Sequence, residues 1–159
     1  MIKNLMLKLI TNTESLSTYK TGLIQAKAYR SLKQVTSKAL EPYHLSSLDW
    51  ALLGLLFDSR EGFKLVEIAE LLGVESPFVT VLIDGLEAKG LVKRTVKAED
   101  KRAKMITLTE KSIEMIPGIE KDLLAQTKVL LKGVGLNEVV SYIKVLSKIV
   151  ENSNTLENK

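Results

Sequence analysis

The chain contains no cysteine and a single histidine, His44. The first absence excludes disulfides, thiolate metal sites and thiol nucleophiles, and leaves the redox compartment open. The second removes most zinc sites and argues against a Ser-His-Asp arrangement. Long apolar runs are also missing. The longest, Ala51–Phe57, falls far short of the roughly 20 residues a membrane helix needs. Residues 1–10 are apolar with Lys3 and Lys8, but Thr, Asn and Glu follow and no small-residue cleavage site appears. The default expectation is a cytoplasmic protein without a leader. No nucleophile–base pair or metal constellation is visible, so neither an enzyme nor a cofactor is expected. What remains is 159 residues, 45% hydrophobic and 26% charged, enough for one globular domain with its own core.

The net charge of +4 conceals segregation along the chain. Residues 1–40 carry seven basic and one acidic side chain, and residues 41–88 two and nine. Residues 89–104 carry seven and two, and residues 105–159 seven of each. The third stretch holds Lys89, Lys93, Arg94, Lys97, Lys101, Arg102 and Lys104, a density that suits a polyanion. A solvated charged face is the plainer alternative, and the structural setting decides between them.

Helical periodicity runs from about Glu14 to Leu40 and stops at Glu41-Pro42. Residues 1–10, striped by Ile2, Leu5, Met6 and Leu9, extend or precede it. Ser46 and Asp49 form a capping-box pattern opening a second helix striped by Leu48, Leu52, Leu55 and Leu56. A short helix spans Val66–Leu72, with Gly73 as its stop. Ser76 as N-cap and Pro77 at the first position open another, with Val79, Leu82, Ile83 and Leu86 inward and Gly90 ending it. Gly85 within it costs about 1 kcal/mol of helix propensity. The period then changes to two: Leu91–Val96 and Met105–Leu108 read as a two-stranded hairpin with a long basic tip. Thr109 and Glu110 cap a helix to about Lys132, which Pro117 should kink or interrupt. Gly133-Val134-Gly135 punctuates, a last helix covers Asn137–Val150, and a polar flexible tail occupies 151–159.

The expected fold is therefore mainly α with a small β-hairpin wing: a winged helix-turn-helix over 45–110, flanked by dimerisation helices at 1–42 and 111–150, in one domain spanning 1–159. The flanking helices are long and apolar-striped, and pack most economically on each other and on a second copy of the chain. In a winged helix the second helix of the pair offers its N-terminal residues to base edges, and a basic hairpin reaches the backbone or minor groove. Lys93, Arg94, Lys97, Lys101 and Lys104 supply charge for phosphates. Phe78 and Val81 suit thymine methyls. Ser76 sits where helix N–H groups favour phosphate. The alternative is a winged helix used for protein or effector contacts, with DNA affinity weak or lost, which the acidic stretch 41–88 would explain. Trp50 and Tyr43 read as core residues, and His44 as structural or solvent-facing.

From Leu45 to Glu110 the chain resembles the MarR family of bacterial transcriptional regulators. The matching segments are Leu45–Trp50, Leu65–Leu72, Val79–Val92 and Asp100–Glu110. The Asp-x-Arg-Ala-Lys sequence at 100–104, following Lys89-Gly-Leu-Val and preceding Leu108-Thr-Glu, is the most specific of them. The resemblance implies a homodimer binding double-stranded DNA at pseudo-palindromic operators, usually a repressor, often released by a small-molecule effector. It implies that Arg102 enters the minor groove while Asp100 orients it, and that Thr80 is a recognition-helix threonine. Family recognition helices commonly carry arginine where this chain has Val81 and Gly85. The cysteine and clustered-ligand sets of thiol- and metal-sensing members have no counterpart here, which leaves a small molecule, or none, as effector.

Overall fold

Apolar residues recurring every three or four positions wind Thr18–Leu40 into α1. The computed structural model of the chain describes residues 18–59, 61–96 and 104–157; the expected N-terminal stripe at 1–10 and the hairpin tip at 97–103 lie outside these. After Leu40, which is fully buried, Pro42 forces a 3₁₀ turn over Glu41–Tyr43, and His44 closes it in a left-handed conformation with φ 55°. Helix α2, Ser47–Asp58, begins with the expected capping box. Ser46 N–H donates to Asp49 Oδ2 at 2.8 Å and Asp49 N–H to Ser46 Oγ at 3.0 Å.

Helix α3 covers Leu65–Leu72 and α4 covers Ser76–Ala88. Between them Gly73 adopts φ 64°, and Val74 N–H reaches back to the Ala69 carbonyl at 3.0 Å, the bond that lets a helix end sharply. One boundary differs from expectation. Glu75, not Ser76, is the N-cap of α4, and Ser76 and Pro77 are its first two helical residues. Proline fits at either position, because first-turn N–H groups have no intrahelical acceptor.

The expected hairpin is part of a larger sheet. Strands β1 (Phe63–Lys64), β2 (Val92–Val96) and β3 (Lys104–Leu108) pair antiparallel in the order β1-β3-β2. Phe63 pairs with Ile106, and Val92, Arg94 and Val96 pair with Leu108, Ile106 and Lys104. Strand β1 is approached through Gly62, whose φ is +75° and where a Cβ would stand 2.1 Å from the Ile106 carbonyl oxygen. Only glycine allows the chain so close to β3.

Helix α5, Glu110–Leu130, is continuous through Pro117. Pro117 faces solvent, while Ile116 and Ile119 beside it are buried at 4% and 0% exposure. Their burial outweighs the one backbone bond the proline removes. The last helix, α6, runs Leu136–Glu157, so the residues expected to form a loose tail continue the helix for two further turns. Gly135 N–H donates to Glu138 Oε2 at 2.7 Å and fixes its start.

The chain divides into two units, 1–127 and 128–159. In the first, Leu40, Leu52, Ile68, Val79, Ile83, Leu86, Ile106 and Ile119 form one buried core, with Tyr43 and Trp50 packed against its edge. The second consists largely of α6, along which Leu136, Val140, Ile143, Leu146 and Val150 are all substantially exposed.

Candidate nucleic-acid interface

Helix α4 is pinned by one face and open on the other. Val79, Ile83 and Leu86 are wholly buried, whereas Phe78 and Val81 are 53% and 69% exposed. The helix therefore has an apolar anchor and a second apolar stripe that the first unit leaves uncovered. Thr80, half-buried, donates its hydroxyl to the Ser76 carbonyl at 3.2 Å. Pro77 has no N–H, and the Phe78 N–H bonds the Glu75 carbonyl at 3.0 Å. Fewer backbone donors are then left for a phosphate than Ser76's position at the helix start suggested.

The wing grows directly out of α4. Gly90, with φ 68°, turns the chain, and Leu91 N–H bonds the Leu86 carbonyl at 2.9 Å. Side chains then alternate across β2 and β3. Lys93 pairs with Thr107 on one face and Lys104 with Val96 on the other, both lysines exposed. Lys97, Lys101, Arg102 and Asp100 belong to the tip outside the described residues.

Arg94 is placed differently from the free cation that a charge count suggests. Its side chain points from β2 back to α4, where the guanidinium bonds both Asp84 and Glu87. Its backbone N–H also donates to Glu87 Oε1 at 3.3 Å. The hydrogen bond to Asp84 raises the Arg94 pKa above its usual value against a smaller desolvation effect, and the charges of Glu87 and Asp84 add to the rise. Lys89 is engaged too. Its Nζ donates to the His44 carbonyl at 2.8 Å and stands 3.6 Å from Asp49 Oδ2. Of the four described basic residues in 89–104, Arg94 and Lys89 are engaged by the protein itself.

The same contacts change the meaning of the acidic stretch 41–88. Asp84 and Glu87 face Arg94, Asp49 is buried in its capping box beside Lys89, and Glu67 accepts the Lys64 N–H at 2.7 Å at the start of α3. Asp49, Glu67, Asp84 and Glu87 are thus bound to internal donors, which reduces the field they present to an approaching polyanion. These roles for Asp84, Glu87 and Lys89 were missed from sequence, although a signal existed. Asp84 and Glu87 lie three apart on one helix face, next to a strand that carries an arginine on its inward side.

A third cluster joins α4, the wing and α5. Thr109 N–H donates to the Leu91 carbonyl at 3.1 Å and its hydroxyl to the Gly90 carbonyl at 2.8 Å. Ser112 Oγ, buried, also donates to the Leu91 carbonyl, and Lys111 Nζ caps the Lys89 carbonyl at 2.8 Å. Among the described residues no group of three or more His, Asp or Glu side chains is arranged to hold a metal ion. No helix there is long and apolar enough to cross a membrane.

A helix pair anchored in the core by one face, an open face on the second helix and a wing with lysines on both surfaces define a winged helix-turn-helix protein. The MarR family model matches residues 45–104. The transcriptional regulator PA3341 is 34% identical, with 87% of this chain and 99% of that chain covered and a TM-score of 0.72. The chain belongs to the MarR family of DNA-binding transcriptional regulators. Rhodococcus jostii RHA1 CouR, solved with p-coumaroyl-CoA, is 25% identical over 81% of this chain and 90% of its own, with a TM-score of 0.75. The fold is shared with S. aureus MepR, solved in complex with DNA, at 24% identity, 82% and 96% coverage and a TM-score of 0.70.

Proposed function

We propose that the chain acts as a homodimeric, sequence-specific repressor in the cytoplasm, with α4 entering the major groove of a pseudo-palindromic operator and the wing gripping the flanking backbone. The observation that carries this reading is the open face of α4, followed in the chain by a wing whose Lys93 and Lys104 are exposed. Lys97, Lys101 and Arg102 extend the same basic segment. Phosphate contacts fix register and base contacts fix sequence, and the chain has separate residues for each. The dimer is supported by apolar surface that a lone chain leaves in water: Tyr19, Leu23 and Tyr29 on α1, Leu124 and Val129 on α5, and the row along α6.

CouR was solved with p-coumaroyl-CoA, and 6-hydroxynicotinic acid regulates DNA binding by BpsR of Bordetella bronchiseptica. On that basis we assign this chain a small-molecule effector that lowers operator affinity, and a regulatory rather than catalytic role. The reading of a winged helix with lost DNA affinity drew its support from the acidic stretch 41–88. That support weakens once Asp49, Glu67, Asp84 and Glu87 are assigned to internal partners.

The test is a gel shift with the promoter DNA beside the chain's own gene, followed by a salt titration. Affinity should fall with a log–log slope of about −0.9 per phosphate neutralised. A flat plot, or binding no tighter than to unrelated duplex, contradicts the proposal.

A further inference from the structure

The exposed face of α4 is unusual for a surface that must read base edges by hydrogen bonding. Its outward residues are Pro77, Phe78, Val81, Asp84, Gly85 and Ala88. None is a cation, an amide or a hydroxyl. Asp84, the one ionised group among them, is held by Arg94, and the Thr80 hydroxyl is turned onto the Ser76 carbonyl. Phe78 and Val81 stand three residues apart and share one side of the helix. Gly85, a turn beyond Val81, adds no side chain and has nothing within 4 Å of where a Cβ would be. The stripe is therefore an aromatic ring and an isopropyl group followed by a flat space.

In the major groove each base pair presents donors, acceptors or the 5-methyl of thymine, and apolar side chains complement only the last. We infer that this helix reads its operator through thymine methyl groups, seated against Phe78 and Val81, and that Arg94 acts as a positioning residue by cancelling the Asp84 and Glu87 charges beside the groove. The inference rests on the DNA-binding reading above and specifies the sequence class recognised: half-sites with thymines fixed where α4 enters, and specificity carried by shape and methyls rather than by arginine–guanine pairs. Charge complementarity favours DNA as the occupant of this face, since the wing that follows α4 in the chain carries Lys93 and Lys104, both exposed.

The test enriches sites from a randomised duplex pool with the full-length protein, then compares the enriched duplex made with thymidine against the same duplex made with deoxyuridine. Deoxyuridine pairs identically and lacks only the methyl. Each methyl removed at a fixed thymine should weaken binding about fourfold, the effect of uncovering one methylene-sized group, and replacement outside those positions should change nothing. Phe78→Ala and Val81→Ala together should erase the difference between the two duplexes. Lys93→Ala should weaken both equally. Equal affinity for the two duplexes, or an enriched motif with no fixed thymine, overturns the inference and leaves the DNA-binding reading intact. Failure to enrich any sequence overturns both.

Discussion

The Tyr43 hydroxyl donates a 2.6 Å hydrogen bond to Asp122 Oδ2, tying the turn after α1 to α5 across 79 positions of sequence. That bond, followed by desolvation and the Asp122 charge, raises the Tyr43 pKa. The folded state therefore favours the protonated phenol. Its contribution is complete below the ordinary tyrosine value of about 10 and is lost as pH rises through the higher folded value. Tyr43→Phe should lower the urea midpoint slightly at neutral pH and remove part of the alkaline loss of stability. Identical alkaline profiles for the two proteins would show that the bond does not form.

Two glycine substitutions should have opposite signs. Gly62→Ala meets the Ile106 carbonyl and a positive φ at once, and should cost about 2–3 kcal/mol, the upper part of the usual range for single substitutions. Gly85→Ala lies mid-helix with open space around it, and should stabilise by about 0.5–1 kcal/mol. Urea denaturation of both variants provides the check.

Arg94→Gln removes one cation from the protein and leaves Asp84 and Glu87 facing the groove uncompensated. Stability should fall by about 1 kcal/mol or less, because the pair is partly exposed. Operator affinity should fall further than a single phosphate contact explains. Adding Asp84→Asn to Arg94→Gln should recover part of the affinity, although the double variant gains no cation over the single one. An affinity unchanged by the second substitution would mean that Arg94 acts only as a phosphate ligand.

Ending the chain before Leu136 removes α6 and with it a continuous exposed apolar row. Sedimentation should give a dimer for the full chain at micromolar concentration and a monomer or an aggregate for the truncation. A full-length monomer, with the truncated protein equally soluble and folded, is the result that excludes the dimer.

Arg102 and Asp100 offer a test by sign. Arg102→Ala should cost about 1–3 kcal/mol of operator binding, the range for a direct specific contact. Asp100→Ala removes a negative charge, so bulk electrostatics alone would tighten binding. If Asp100 orients Arg102, the same change weakens it. Operator affinities of both variants at one salt concentration separate the two accounts, and tighter binding by Asp100→Ala with no effect at Arg102 would reduce the tip to an untargeted basic loop.

Local chemistry with one dominant cause was legible in the sequence. The Ser46–Asp49 box, the left-handed stops at Gly73 and Gly90, and the change of period at Leu91 each depend on residues close together in the chain. Strand β1 was not, since two residues have no period and Phe63 is a strand only because Ile106 lies beside it. The interruption expected at Pro117 is absent for the reverse reason, as long-range burial of Ile116 and Ile119 holds the helix together. At the candidate interface, Lys93 and Lys104 are exposed, as charged side chains on a wing should be. Arg94 and Lys89 look identical to them in a charge count, and only the fold shows that carboxylates and carbonyls have already engaged both.

The bonds that Thr109, Lys111 and Ser112 send to the carbonyls of residues 89–91 have a mechanical consequence. The end of α4, the root of β2 and the first turn of α5 meet at one three-way joint, so α4 cannot roll about its own axis relative to α5 without rupturing that joint. In a dimer seated on a palindrome, the pitch of each reading helix would then be geared to the helix that follows the wing. A twist of a few degrees at the base of α5 would move both reading heads out of phase with the duplex together, with no bond inside either head having to break.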